Sequence, residues 1–292
     1  MKAALSGSGG FIGGKLRKQF LQMGYEVVTL GREDLYGPPE QLAEKINGAS
    51  VVIHLAGTPV MGRWTANYRK KIYSSRIDTT RNLVSALRLT PRAPGIFITA
   101  SAVGIYADHG VHTESSAGYA DNFLGQVCRD WEGEASRAPE GVRVVHFRFG
   151  VVLDNRGGAL PKMVLPFRFY AGGRIGSGRQ FISWVHVDDV LKIFRFVVDN
   201  HQVSGAVNVV APNPVTNMQF THTLSTLLKK PAYFTVPEFG LKLLFGKGAE
   251  VLTKGQAALP EKLLNLGYKF RFAQLHHALT DLLISPSTDN QS

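Results

Sequence analysis

Only one residue of the 292 is a cysteine, Cys128, so the chain carries no internal disulfide framework. That suits a reducing compartment, with the cytoplasm as the default. No apolar run approaches the roughly 20 residues that a membrane-crossing helix needs. The first apolar stretch is broken by glycines too early to read as a signal peptide. Acid is scarce: 22 Asp and Glu against 33 Lys and Arg leave a formal net charge of +11. Even so, the sequence lacks a Lys/Arg tract, a zinc-ligand spacing and an RNA-binding signature, which argues against nucleic acid as the partner. The densest basic stretch is Arg63, Arg69, Lys70, Lys71, Arg76 and Arg81, faced only by Asp78. It reads either as a solvated helix face or as an attractor for a phosphate-bearing ligand.

What is present describes an ordinary globular protein, 44% hydrophobic and 19% charged, long enough for one large domain or two intimate ones. At the N-terminus a short apolar stretch, Ala3 to Leu5, runs into Gly7-Ser8-Gly9-Gly10-Phe11-Ile12-Gly13, a G-x-x-G-x-x-G turn. An amphipathic segment with Leu16, Phe20 and Leu21 follows. Strand, glycine turn and helix is the context in which such a run cradles a dinucleotide. The first glycine allows the tight turn, the second lets a pyrophosphate approach the backbone, and the third lets helix and strand pack closely. The unpaired N–H groups of the helix start then hold the phosphates.

Tyr25 to Leu30 reads as a second strand. An acid just beyond it would bind the ribose 2′-hydroxyl of NAD; here the strand ends in Gly31-Arg32, with Glu33 and Asp34 behind. Arg32 is suited to a 2′-phosphate, which selects NADP(H), with Glu33 or Asp34 as the alternative reader. Between Asp34 and Ser50 there is room for a short helix from Pro38-Pro39 to Asn47-Gly48, so the third strand of a full unit is very short or absent. Val51 to Leu55 is a buried strand ending in Ala56-Gly57, and His54 within it reads as a core residue. A helix through Ile77, Leu83, Val84 and Leu87, a strand Ile96 to Thr99, a helix about Asn122 to Ser136 and a strand Val142 to Phe149 follow. This alternation specifies an α/β fold: a Rossmann-type doubly wound parallel sheet with a smaller mixed C-terminal domain on the substrate side.

The chain resembles the extended short-chain dehydrogenase/reductase superfamily, which includes nucleotide-sugar epimerases and dehydratases. The resemblance rests on the glycine run, His54-Leu55-Ala56-Gly57, Arg76 with Asn82, Thr99-Ala100-Ser101 with Tyr106, and Arg148-Phe149-Gly150. More narrowly it resembles atypical epimerase-family proteins with a small C-terminal domain of unknown function. Gly62-Arg63-Trp64, Phe123-Leu124 with Val127-Cys128 and Trp131-Glu132, and the tail Gly255-Gln256, Pro260, Gly267-Tyr268 and Phe270 carry that likeness. It implies that Gly7, Ser8, Gly9, Gly10, Phe11, Ile12, Gly13, Arg32, Leu55, Ala56, Gly57, Arg76 and Thr99 bind the cofactor. It also implies a core of residues 1–156 with 181–211 returning to it, and a substrate-side domain of 157–180 and 212–284. The polar tail 285–292 is expected to be disordered.

The superfamily's chemistry rests on a Tyr with a Lys four residues later, and none of the nine tyrosines here has one. The helix that should carry the pair has Phe123/Val127 or, in the other register, Leu124/Cys128. An unassisted tyrosine, pKa about 10, is a poor base at neutral pH. Three readings follow. The protein is an NADP(H)-dependent oxidoreductase or epimerase with another acid/base, Ser101 and Tyr106 being the candidates; or it binds NADP(H) without turnover as a redox-responsive regulator; or it is an interaction module. Lys162 and Arg179 are candidates for a substrate phosphate and Trp184 for stacking on a base or sugar, the substrate being a small molecule such as a nucleotide sugar. Cys128 reads as an inert thiol, and His186 with Asp188 and Asp189 as a structural cluster, so no metal is expected. Leu241 to Phe245 reads as core, with a partner surface as the alternative. Neither a membrane nor a nucleic-acid partner is implied, and the oligomeric state is left open.

Overall fold

A computed structural model describes residues 1–284; the tail expected to be disordered lies outside the described residues. Lys2–Ser6 form strand β1, buried from Ala3 onward, and helix α1 (Phe11–Gln22) turns its Leu16 and Phe20 inward. Strand β2 (Glu26–Leu30) leads to two short helices, α2 (Arg32–Tyr36) and α3 (Pro39–Ile46), before strand β3 (Val51–His54). The long helix α4 (Ala66–Leu89) follows, with the Thr65 hydroxyl accepting from the Tyr68 N–H as its cap. Strand β4 (Ile96–Ala102), helix α5 (Phe123–Ala135) and strand β5 (Arg143–Phe149) complete the run. Asn122 caps α5, its side-chain oxygen 2.9 Å from the Gly125 nitrogen.

Further on come helices α6 (Leu160–Arg168) and α7 (Val187–Asp199), then strand β6 (Gly205–Val209). The six strands form one sheet in the order β6-β5-β4-β3-β1-β2. β1 pairs in parallel with β2 and with β3, and β3 with β4. No strand intervenes between β2 and β3: the chain crosses straight to the far side of β1 through α2 and α3, as the short segment between Asp34 and Ser50 implies. The order reverses at the β1/β3 boundary, and in open α/β sheets ligands bind in the crevice beyond the strand carboxyl ends at such a point. One apolar cluster, including Ala4, Leu42, Val52, Leu83 and Phe97, packs helices against this sheet.

The chain divides into two compact units, the first being residues 1–106, 119–148 and 191–207. The second comprises 107–118, 149–190 and the described residues from 208 onward, so 107–118, 149–156, 181–190 and 208–211 group with it and not, as the sequence suggests, with the dinucleotide-binding core. Its strands are short and paired in twos, three pairs parallel and one antiparallel. Its own cluster holds Leu153, Leu160, Trp184, Phe220 and Leu279. Helix α8 (Asn217–Leu228) is closed by a capping box in which Thr216 and Gln219 exchange hydrogen bonds. Helix α9 (Glu238–Phe245) overturns the expectation that Leu241 to Phe245 is core. None of its residues is buried, and Phe239, Leu243 and Leu244 are 75%, 79% and 64% exposed. Pro237 and Gly246 bound the helix at eight residues.

Candidate functional site

Gly7 has φ +75°, a conformation that side chains other than glycine rarely adopt, and its carbonyl accepts the Gly10 N–H at 2.9 Å. The first bond inside α1 runs from Gly14 to Gly10, so the N–H groups of Phe11, Ile12 and Gly13 have no intrahelical acceptor. Gly10 caps the helix without a side chain, and no acid stands in the first turn to compete for those donors. A Cβ on Gly13 would lie 2.1 Å from the Gly7 oxygen, whereas a Cβ on Gly9 would meet nothing within 4 Å. The helix therefore sits as close to the turn as glycine permits, and its positive end faces the turn.

The neighbouring wall is the exit of β3. A Cβ on Gly7 would approach the Leu55 and Ala56 backbone to 3.0 Å, so the turn rests directly on those residues. Ser6, directly before the turn, anchors them: its Oγ accepts the N–H groups of Leu55 and Ala56 and donates to His54 Nδ1 at 2.6 Å. With Nδ1 an acceptor, the His54 Nε2–H donates to Thr79 Oγ1 at 3.2 Å, and that hydroxyl donates in turn to the Ser75 carbonyl. His54 is fully buried, in the core as the sequence suggests; burial, and secondarily Arg76, lower its pKa to about 4. Because the unfolded chain binds this proton more readily, neutral His54 contributes its full stability above about pH 6.5 and loses it as pH falls toward 4. The amount is on the order of 3 kcal/mol. Unfolding free energies measured from pH 7 to 4 should therefore fall more steeply in the parent than in His54→Asn.

At the end of β2, Arg32 is exposed, its guanidinium 5.7 Å from the centroid of the Tyr36 ring. Asp34 is committed elsewhere: it accepts the Gly31 N–H at 2.7 Å and pairs with Lys45. Although burial opposes its charge, those bonds hold the carboxyl below its usual pKa.

The two proposed acid/base residues occupy a single buried network. Tyr106 is wholly buried and its hydroxyl accepts from Arg148 Nη1 at 2.7 Å. Ser101, 3% exposed, donates to Glu132 Oε1 at 2.6 Å. Between them Arg148 and Glu132 form a bidentate pair, Nε–Oε1 2.8 Å and Nη2–Oε2 2.7 Å. Burial works against the Arg148 charge, but Glu132 outweighs it and lifts the guanidinium pKa above its ordinary value. In the sequence Glu132 and Arg148 stand out only as members of the motifs Trp131-Glu132 and Arg148-Phe149-Gly150. The available signal was an arginine inside the apolar strand Val144 to Phe149 and an acid on the inward face of α5. Cys128, buried on α5, is pushed up to about 11 by desolvation and by Glu132, which leaves an unreactive thiol at neutral pH. Thr99 is fully buried in β4, its hydroxyl 3.3 Å from the Ala100 carbonyl.

Arg76 leaves the basic face of α4 and folds inward, Nη1 reaching the Thr58 and Ile72 carbonyls at 3.0 Å. Lys70 and Lys71 remain exposed, and Arg81 pairs with Glu134. In the second unit, Lys162 on α6 and Arg179 in the turn after Gly178 are exposed. Trp184 is not positioned to stack on a ligand: it is completely buried, and its indole N–H donates to the Asn213 carbonyl at 3.0 Å. Among the described residues no group of three or more His, Cys, Asp or Glu is arranged to hold a metal ion, and no helix is long and apolar enough to cross a membrane.

The strand order and the glycine turn at the switch point define a Rossmann-type α/β protein. The chain belongs to the NAD dependent epimerase/dehydratase family, which matches residues 3–210; residues 236–282 match a domain of unknown function (DUF1731). Epimerase family protein YfhF of Bacillus subtilis (strain 168) is 36% identical over 303 residues, covering 99% of this chain and all of that protein (100%). The chloroplastic epimerase family protein SDR39U1 homolog of Arabidopsis thaliana is 35% identical over 302 residues, covering 97% of this chain and 87% of that one. Among solved structures, human epimerase family protein SDR39U1 (isoform 2) with NADPH has a TM-score of 0.89 at 32% identity, covering 97% of this chain and 99% of that one.

Proposed function

We propose that the chain is an NADP(H)-binding protein of epimerase type that exchanges hydride with a small carbonyl or hydroxyl compound. The observation that carries the cofactor half is the turn itself, where Gly13 admits no Cβ and the helix start keeps three donors for phosphate. The structure of a human relative with NADPH supports the same reading. The choice of NADP(H) over NAD(H) rests on Arg32, exposed past β2 while Asp34 is held by Gly31 and Lys45. Arg32→Asp is expected to weaken NADPH binding by roughly 10- to 100-fold, the worth of about 1.5–3 kcal/mol for a charged hydrogen bond, and to leave NADH binding nearly unchanged. Equal loss for both nucleotides, in parallel titrations of nucleotide fluorescence, would remove this assignment.

NADPH, when bound, supplies the hydride. The proton that a reduced carbonyl oxygen needs must come from elsewhere, and this chain has no Tyr–Lys pair to deliver it. Ser101 and Tyr106 belong to the buried network, Ser101 donating to Glu132 and the Tyr106 oxygen accepting from Arg148. Their burial favours a second reading, in which the protein binds NADP(H) without turnover and responds to the redox state of the pool. Cofactor-stripped protein should gain thermal stability with NADPH in either case. Oxidation of NADPH with a panel of carbonyl compounds and nucleotide sugars supports the first reading, and binding with no consumption supports the second.

A further inference from the structure

Arg76 carries a charge for which the described residues provide no counter-ion. Among the described residues no carboxylate lies within ion-pair distance of it, although it is folded in from α4 against the backbone. Nη1 has two carbonyl acceptors, Thr58 and Ile72, each at 3.0 Å. Nε and Nη2 donate to nothing among the described residues. That side of the guanidinium faces Gly57: a Cβ built there would come within 3.1 Å of Cζ, 3.2 Å of Nη2 and 3.4 Å of Nε. One face of the guanidinium is covered by the Trp131 ring, 5.1 Å from its centroid. Burial lowers the pKa of the group, and the neighbours that counter this, Cys128 and Tyr68, are a thiol and a phenol. A half-buried cation with one open edge of paired donors is costly unless a ligand supplies oxygen acceptors to that edge.

The position of the edge says which part of a ligand it meets. Gly57 is exposed and directly follows Leu55 and Ala56, the residues on which the Gly7 turn rests. Successive Cα atoms are about 3.8 Å apart, so the open edge lies one residue beyond the phosphate turn at the same strand exit. The group that follows the pyrophosphate along a dinucleotide is the second ribose.

We propose that the Nε/Nη2 edge of Arg76 clamps the hydroxyl pair of the ribose on the nicotinamide side of NADP(H), supplying from α4 the positive charge that a Tyr–Lys dyad would have placed on α5. This rests on the NADP(H) reading above. The lysine position, in the register of Leu124 and Cys128, holds a neutral thiol, and Arg76 and Cys128 lie within electrostatic reach of each other. A fixed cation beside the nicotinamide also disfavours the positively charged oxidised ring relative to the neutral reduced one. The clamp therefore makes the site prefer NADPH over NADP⁺.

The test is titration of parent, Arg76→Met and Arg76→Lys with NADPH, NADP⁺ and 2′,5′-ADP, which has the 2′-phosphate end but neither the second ribose nor the nicotinamide. Arg76→Met should weaken NADPH about tenfold or more. Its preference for NADPH over NADP⁺ should fall several-fold, while 2′,5′-ADP binding changes by less than about twofold. Arg76→Lys should restore part of the preference for the reduced form, because it keeps the charge and loses the fork. Equal weakening of NADPH and 2′,5′-ADP would show that Arg76 acts through the fold, and unchanged NADPH binding would show that it does not touch this ribose; either overturns the clamp. A parent protein that binds none of the three ligands refutes the NADP(H) reading itself and the clamp with it.

Discussion

Replacing Glu132 by alanine is expected to destabilise the protein by about 3–5 kcal/mol, the cost of leaving one member of a buried ion pair without its partner. Arg148 has only 4% of its side chain exposed and Glu132 12%, so water cannot replace the lost carboxylate. Three hydrogen bonds end on that carboxylate: two from Arg148, and one from Ser101 at 2.6 Å. Glu132→Gln should be nearly as damaging, since an amide N–H₂ would face a guanidinium N–H. In thermal unfolding the loss corresponds to roughly 6–15 °C. The double variant Glu132→Leu/Arg148→Met removes both charges and should be more stable than Glu132→Leu alone. If the double variant were the less stable of the two, the penalty would not be that of an orphaned cation. Tyr106 then loses the Arg148 donor, so an activity that survives the single Tyr106→Phe but not the double variant would place the catalytic need on the charge.

The second large effect falls on the glycine turn. Gly13→Val should reduce NADPH affinity at least 100-fold, about 3 kcal/mol, while the fold survives with a smaller loss of about 1–3 kcal/mol. The added Cβ would stand 2.1 Å from the Gly7 oxygen and 2.8 Å from its carbonyl carbon, both backbone atoms that cannot rotate away. To accommodate it, α1 must withdraw from the turn, and with it go the donors of Phe11, Ile12 and Gly13. Gly9→Ala is the matched control: its Cβ meets nothing within 4 Å, so stability should be unchanged. Isothermal titration of both variants against the parent separates the two positions, and full affinity in Gly13→Val would sink the phosphate role of this helix start.

The turn and the missing strand between β2 and β3 were both legible in sequence because each depends on local geometry. Gly7, Gly10 and Gly13 are fixed by φ and by contact over six residues, and too few residues separate Asp34 from Ser50 for another strand and its connection. The helix start at Asn122 was equally legible, since a cap bonds its own first turn. Arg32 followed from its place behind β2. Ser6 was overlooked although it adjoins the turn, because its work is done 48 residues away on His54.

By itself, then, the sequence determined the Rossmann-type alternation, the phosphate turn and the absence of a Tyr–Lys pair, all of which are properties of neighbours along the chain or of residue identity. Tertiary structure alone decided where the long polar side chains point. It brought Ser101, Tyr106, Glu132 and Arg148 into one buried network, turned Arg76 away from its basic helix face toward Gly57, buried Trp184 and left α9 exposed. The physical reason is that helical and strand periodicity fixes a side chain's face but not its reach. An arginine spans enough distance to answer to charges and carbonyls on other elements, and those are placed only when the sheet and its helices have packed.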